Sequence, residues 1–291
     1  MKIVNKKEIE KPNKTYNLKI KNDHNYIANG MVVSNCHKVK SDSLRGIAEK
    51  LEDCPIRVGL TGTMDDIETN ELVLKGLLGK PKRVISTKEL MERRQVAELE
   101  IRCVILQYPE EECKKVKKMN YSEELDYILN HEKRNNLVSK LVSSKNDNSL
   151  VLFSRVEHGK TLEEKTEKEA ENHDVFIVHG DVDGKTREEI RAFAEEYRTI
   201  IIASYGVFST GVNIQNLENV VFASPMKSKI SVLQSIGRGL RKGRTGKVIL
   251  YDIVDCFQDK NYENYAMKHF KERLKHYNKE GFNFKLEKVQ M

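Results

Sequence analysis

Five short apolar runs dominate the second half of the chain: "SLVLFS" (149–154), "VFIVHG" (175–180), "TIIIAS" (199–204), "NVVFAS" (219–224) and "KVILYDIV" (247–254). The last four are nearly uninterrupted. A half-exposed strand would alternate apolar with polar residues, so these runs read as parallel strands covered on both faces. Helical patterns separate them. "TREEIRAFAEEY" opens on Thr186 and carries Glu189 three residues later, the spacing of a capping box. "SKISVLQSIGRGLRKG" sets Ile230, Leu233, Ile236 and Leu240 on one side, with Gly243 as a stop. Alternating strands and helices predict a doubly wound α/β lobe with a parallel sheet.

The first half has a different texture. Residues 1–35 hold the strand-like runs "KIV", "TYNLKIK", "NYIA" and "MVVS", parted by turn signals at Pro12-Asn13-Lys14, Asn22-Asp23 and Asn29-Gly30. This β segment is too short to bury a core of its own. Within 36–107, "DSLRGIAEKLED" spaces Leu44, Ile47, Ala48 and Leu51 as a helix, and "IRVGLTGT" and "IRCVILQY" read as strands. Residues 108–130 read as charged and connective, and the tail from about 258 as a polar helix and a short strand. The expected units are therefore 1–35, 36–107, 108–257 and 258–291.

Charged residues make up 33% of the chain, above the usual quarter, so its surfaces are highly solvated. The formal charge of +7 suits contact with phosphate or nucleic acid and equally suits an ordinary soluble enzyme. Five cysteines (Cys36, Cys54, Cys103, Cys113 and Cys256) have no CxxC spacing, which favours reduced thiols over a disulfide framework or a zinc site. No run of about 18 apolar residues is present, so no membrane partner is expected and the cytoplasm, of a host if phage-encoded, is the expected compartment.

The order of the motifs "CHKVKS…VGLTGT", "SLVLFS", "VHGDV…R", "ASYGVFSTGVNI" and "QSIGRGLRKG" resembles that of superfamily-2 DExH helicases, and the wording "ASYGVFSTG" and "SKISVLQSIGRGLRK" is similar to phage UvsW-type recombination helicases. The resemblance spans nearly all of 36–291. It implies a RecA-like second lobe preceded by a partial first lobe. Arg238 and Arg241 lie three apart, on one helical face, with Gln234 one turn earlier. The resemblance implies that both arginines are arginine fingers and that Gln234 is a phosphate or water contact. Gly237 and Gly239 cost a helix roughly 1 kcal/mol each against Ala, so some ligand approach must justify them. Gly211 would let backbone approach the nucleotide. Thr61 and Thr63 read equally as a coupling element and as a strand-end turn; His37 closes the DExH-type motif. Phe153, Ser154, His179 and Gly180 sit at strand ends, where open α/β sheets bind ligands, and resemble the family's strand-backbone contacts. Lys227 and Lys229 would add salt-sensitive phosphate affinity. The implied partner is DNA, branched or single-stranded, or an RNA–DNA hybrid.

Two elements of ATP hydrolysis are missing from the chain: a GxxxxGK[ST] phosphate loop and the Asp-Glu pair that would precede Cys36, where Ser34 and Asn35 stand instead. ATP and Mg²⁺ are therefore expected only after assembly with a chain carrying those residues, and no metal ligand is expected here. The segment "TYNLKIKNDHNYIANGMVVSNC" is similar to the C-terminal half of a split intein, through "DHN", the "NG" turn and the terminal "SN" before Cys. Most inteins have His where Ser34 stands, which shifts the catalytic burden to His24. The resemblance implies a Hint-type segment over 1–35 that needs no cofactor. Cys36 is the thiolate nucleophile, Asn35 cyclises to break the Asn35–Cys36 bond, His24 moves protons, and Asp23 tunes it or joins the thiol step. The expected function is thus a trans-splicing precursor that excises 1–35 and joins 36–291 to a complementary chain, giving an ATP-dependent DNA helicase of recombination, repair or replication. The alternatives are a stand-alone lobe that binds nucleic acid without ATPase activity, and a decayed fragment that folds poorly.

Overall fold

A computed structural model describes residues 25–28, 31–35, 57–60, 87–210, 216–225, 246–258 and 262–291, with a few isolated positions between 46 and 85; for 25–35, 57–60 and 208–210 it is the backbone that is described. The chain divides into two compact units, Met1–Lys82 and Arg83–Met291.

In the first unit, β1 (Asn25–Ala28) and β2 (Met31–Asn35) form an antiparallel hairpin, with Ala28 opposite Met31 across the Asn29-Gly30 loop. β2 also pairs in parallel with β3 (Arg57–Leu60), Asn35 lying opposite Leu60. Backbone pairing thus runs across the 35/36 boundary expected between a Hint-type segment and a first-lobe remnant: the three described strands share one sheet. The runs "KIV" and "TYNLKIK" and most of the helix expected over 42–53 lie outside the described residues.

The second unit is built on a seven-stranded, wholly parallel sheet. Its strands in chain order are β4 (Glu98–Gln107), β5 (Ser149–Phe153), β6 (Asp174–Val178), β7 (Thr199–Ser204), β8 (Asn219–Phe222), β9 (Lys247–Cys256) and β10 (Asn283–Gln290). Their spatial order is β10-β4-β9-β8-β5-β7-β6. Side-chain alternation sends one set of residues to each face. Ile101, Leu152, Ile201 and Leu250 pack on one side, and Leu106, Phe153, Ile202 and Ile253 on the other. Of the four strands with nearly continuous apolar runs, β7, β8 and β9 are interior and β6 is not. β6 is half-exposed because it is the sheet edge.

The helices that cover the sheet correct several expectations. Residues 108–130 are not connective: they fold as α2 (Glu110–Val116) and α3 (Tyr121–Leu129), preceded by the short α1 (Thr87–Glu92). Asn120 and Glu123 form a full capping box at the start of α3, and Glu110, Glu111 and Glu112 favour the positive end of the α2 dipole. α4 (Glu132–Ser143) follows, then α5 (Val156–Glu169) and α6 (Gly184–Glu196). α6 starts earlier than the Thr186–Glu189 box implied. Asp183 is its N-cap, accepting from the Lys185 and Thr186 amides, while the Thr186 hydroxyl donates to Asp183 Oδ2 at 2.7 Å. α7 (Tyr205–Thr210) leads out of β7.

The boundary expected at 107/108 moves. β4 pairs with β9 along its whole length, from Glu98 opposite Lys247 to Gln107 opposite Cys256, so it belongs to the same sheet as the later strands. The tail is not a separate unit either. α8 (Tyr265–Glu280) packs on the sheet through Phe270 and Tyr277, and β10 adds an edge strand beside β4. Gly281, at φ 71°, ends α8 in a left-handed conformation that costs glycine no Cβ clash.

β9 carries two acids in an otherwise apolar strand, and each fixes a helix. Asp252, on one face, accepts two bonds from Arg273 of α8, both at 2.9 Å, and one from the Tyr277 hydroxyl at 3.0 Å. Asp255, on the other face, is held by Arg134 of α4 (Nε to Oδ1 2.7 Å, Nη2 to Oδ2 3.1 Å) and by the Tyr108 hydroxyl at 2.8 Å. Burial works against the charge on both arginines, but the facing carboxylate outweighs it and raises each above its usual value. Cys103 and Cys256 are buried without a disulfide, and burial raises both thiols. Among the described residues no helix is long and apolar enough to cross a membrane.

Candidate nucleic-acid interface

Because all seven strands are parallel, their C-terminal ends share one edge. The loops there bring together Ser154 and Arg155 after β5, His179 and Gly180 after β6, Tyr205 after β7, and Ser224 after β8. This is where open α/β sheets place ligands.

Ser154 is exposed at this edge, as expected, and Gly180 is exposed beside the half-buried His179. Phe153 is a correction. Its ring is fully buried in the core and lies so close beneath α5 that a Cβ on Gly159 would stand 2.6 Å from it. Phe153 therefore positions the loop and offers no side chain to a ligand. Arg155, which residue spacing alone did not single out, is exposed next to Ser154 and forms an ion pair with Asp126 of α3. The 179–180 turn is stapled to α6 by Arg187, whose Nη2 donates to the carbonyls of His179 (3.1 Å) and Gly180 (2.9 Å). The His179 ring accepts from the Asp181 amide at 3.4 Å.

Under this edge runs a buried polar chain. Asn135 Nδ2 donates to the Leu129 carbonyl at 2.8 Å, so its Oδ1 is the acceptor facing His158 Nε2 at 3.1 Å. His158 Nε2 then carries the proton and Nδ1 accepts from the Ser224 hydroxyl at 3.1 Å. The Ser224 oxygen in turn accepts from the Ser154 amide at 3.1 Å. Each member satisfies the next, as a buried network must.

Burial, and then the nearby Arg134 charge, push His158 down to about 3, so it is neutral in the folded protein at ordinary pH. The unfolded chain takes up this proton near pH 6.5, which destabilises the fold as pH drops from about 6.5 towards about 3. The effect is fully absent above that window. Between pH 7 and pH 5 the wild type should lose about 2 kcal/mol through this group. Denaturant unfolding of wild type and His158→Asn at both pH values checks it. The variant should lose correspondingly less, and an equal loss in both would place the pH dependence elsewhere.

Asp23, His24, Cys36, His37, Thr61, Thr63, Gly211, Lys227, Lys229, Gln234, Arg238 and Arg241 lie outside the described residues; of Asn35 the backbone alone is described, at the end of β2. Among the described residues no cluster of three His, Cys, Asp or Glu side chains is arranged to hold a metal ion.

A wholly parallel, doubly wound sheet gives this unit the fold of a RecA-like helicase lobe. Residues 132–243 match the family described as the helicase conserved C-terminal domain. Over 278 residues the chain is 37% identical to the ATP-dependent DNA helicase uvsW of Enterobacteria phage T4, a match covering 90% of this chain and 55% of that protein. The crystal structure of T4 UvsW aligns with a TM-score of 0.59 at 34% identity, over 90% of this chain and 54% of that one. Dbp5 of S. cerevisiae, bound to RNA and ADP BeF3, aligns with a TM-score of 0.54 over 89% of this chain and 59% of its own; at 15% identity this is a likeness of fold. The chain spans about half the length of the curated relatives it matches.

Proposed function

We propose that this chain is the C-terminal member of a split helicase, joined to its complement by protein splicing. The observation that carries the proposal is the junction at Asn35–Cys36: intein-like "DHN…NG…SN" stops at the residue where helicase-like "CHKVKS" begins. Similarity to a phage DNA helicase over 90% of the chain supports the helicase half of the reading.

In this reading the Cys36 thiolate attacks a thioester at the complement's splice site, giving a branched intermediate. The Asn35 side-chain amide nitrogen then attacks its own carbonyl, breaking the Asn35–Cys36 peptide bond and leaving a succinimide. His24 moves the protons, with Asp23 beside it in sequence. An S-to-N acyl shift leaves an ordinary peptide bond before Cys36. Rejoining recreates Asp-Glu-Cys36-His37. ATP then supplies the free energy of strand separation, with Mg²⁺ held by the restored acids. This chain contributes Arg238 and Arg241 to charge on the nucleotide, Gln234 to a phosphate or water, and Gly211 to close backbone approach. Ser154, Arg155, the 179–180 turn, Lys227 and Lys229 follow the DNA backbone.

The unspliced chain tests the division of labour. Fluorescence anisotropy with labelled single-stranded and forked DNA should show binding that weakens with salt, and the chain alone should turn over no ATP. Arg155→Ala should weaken binding and flatten the slope of log K against log salt by about 0.7–0.9. Asp126→Asn, which releases Arg155 from its ion pair, should tighten binding by about two- to fivefold. ATP turnover by the unmixed chain would contradict the requirement for a complement.

The rival reading, a stand-alone nucleic-acid-binding lobe, is favoured by one observation: the unit Arg83–Met291 has a core on both faces of its sheet. It predicts the same binding but a chain whose mass never changes.

A further inference from the structure

Ser224 is 2% exposed and stands where three site loops meet. Its hydroxyl oxygen accepts from the Ser154 amide (3.1 Å) in the loop after β5, and its hydroxyl proton goes to His158 Nδ1 (3.1 Å) on α5. Its carbonyl accepts from the hydroxyl of buried Tyr205, the first residue of α7, at 3.2 Å. The preceding carbonyl, of Ala223, accepts from Arg134 Nη2 at 2.7 Å. Both backbone and side chain of this one residue are therefore committed, and they tie together loops some 20 and 70 residues apart in the chain. Ten residues after Ser224 comes Gln234, followed by Arg238 and Arg241.

A serine serves here because its hydroxyl both donates and accepts. Alanine would remove the partner of the Ser154 amide and of the buried His158 Nδ1. A buried network satisfied at every member has few alternative arrangements, so displacing one loop displaces the others.

We infer that Ser224 is a positioning residue that fuses the loops after β5 and β8 and the start of α7 into one mechanical unit, so that a nucleic-acid contact at Ser154 is transmitted to the segment carrying the arginine fingers. The transmission to the fingers rests on the proposed function; the fusion of the loops does not.

Hydrogen exchange of the full chain, read by mass spectrometry without ligand, decides the fusion. Tyr205→Phe removes only the bond to the Ser224 carbonyl, yet exchange at Ser154 and Arg155 should quicken about three- to tenfold. Ser224→Ala should likewise quicken exchange at 205–207, which its hydroxyl does not touch. Thr166→Ala, which removes another buried hydroxyl bonded to Ser139 at 3.2 Å, should leave all three loops unchanged. If each substitution is felt only by its direct partner, the fusion is overturned. Tyr205→Phe keeps the ring and decides the point alone should Ser224→Ala not fold. Adding a single-stranded oligothymidine to wild type then separates the two readings. Protection at 154–155 together with 226–241 supports transmission; protection at 154–155 alone overturns it; no protection anywhere overturns the nucleic-acid contact itself, whatever the ligand-free result.

Discussion

Asp255→Ala is expected to cost about 3–5 kcal/mol and to lower the melting temperature on the order of 10 °C. Asp255 and Arg134 are both fully buried, and the substitution leaves the guanidinium charged with no counter-ion in the core. The Tyr108 hydroxyl loses its acceptor at the same time. The position of α4 also depends on this pair, and α4 carries Asn135, the start of the chain of bonds that reaches Ser154. Thermal unfolding followed by circular dichroism measures the shift. The double substitution Asp255→Leu with Arg134→Met should recover most of the loss, since a buried pair is costly to break but not to replace by apolar groups of similar volume. Removing the exposed Glu164–Lys168 pair on α5 should leave the transition unchanged. A similar loss from the surface pair would refute the assignment of the large effect to uncompensated buried charge.

Under the proposed function, Arg238→Ala or Arg241→Ala should lower ATP turnover of the rejoined helicase by about a thousandfold or more at saturating DNA, with the fold intact. A guanidinium that reaches the γ-phosphate stabilises charge that develops in the transition state, so its loss appears in turnover and less in ground-state affinity. Arg→Lys at either position should rescue only a small part, because the ammonium lacks the planar fork. Lys168→Ala, remote from the site edge on α5, should leave turnover unchanged. Steady-state ATP hydrolysis by each spliced product provides the comparison, and an arginine variant with full turnover would remove that residue from the nucleotide site.

Several features of the lobe could be read directly from residue order. β5, β7, β8 and β9 were legible because interior parallel strands need apolar residues on both faces, and the runs around Val151, Ile201, Val221 and Ile253 supply them. What could not be read was pairing over long distances. Glu98–Gln107 is plainly a strand, but nothing within it says that its partner begins at Lys247. α2 and α3 were missed because their apolar faces are narrow: Cys113 and Val116 in one, Ile128 and Leu129 in the other, among many charges. Two further signals lie in the residue order. Asp252 and Asp255 in an apolar strand demanded buried cationic partners, and Asn120 with Glu123 spelled a capping box.

The candidate site divides in the same way. Ser154 and Gly180 fall at the exposed strand ends where residue type and position placed them. Phe153 does not, because the residue that ends an interior strand points into the core when its neighbour points out. The relay of Asn135, His158 and Ser224 is invisible in one dimension. Its members are unremarkable residue types separated by 23 and 66 positions, and only the winding of the sheet brings them within hydrogen-bond reach.

The reading of Asn35–Cys36 as a splice junction can be tested directly. The decisive measurement is the intact mass of products after mixing this chain with one that ends in helicase sequence closing on Asp-Glu and followed by an intein N-terminal half. The account predicts release of residues 1–35 as a succinimide-ended peptide and a ligated product with a new peptide bond before Cys36. Asn35→Ala should block the release. An unchanged mass for both chains, with the two shown to associate, would contradict it.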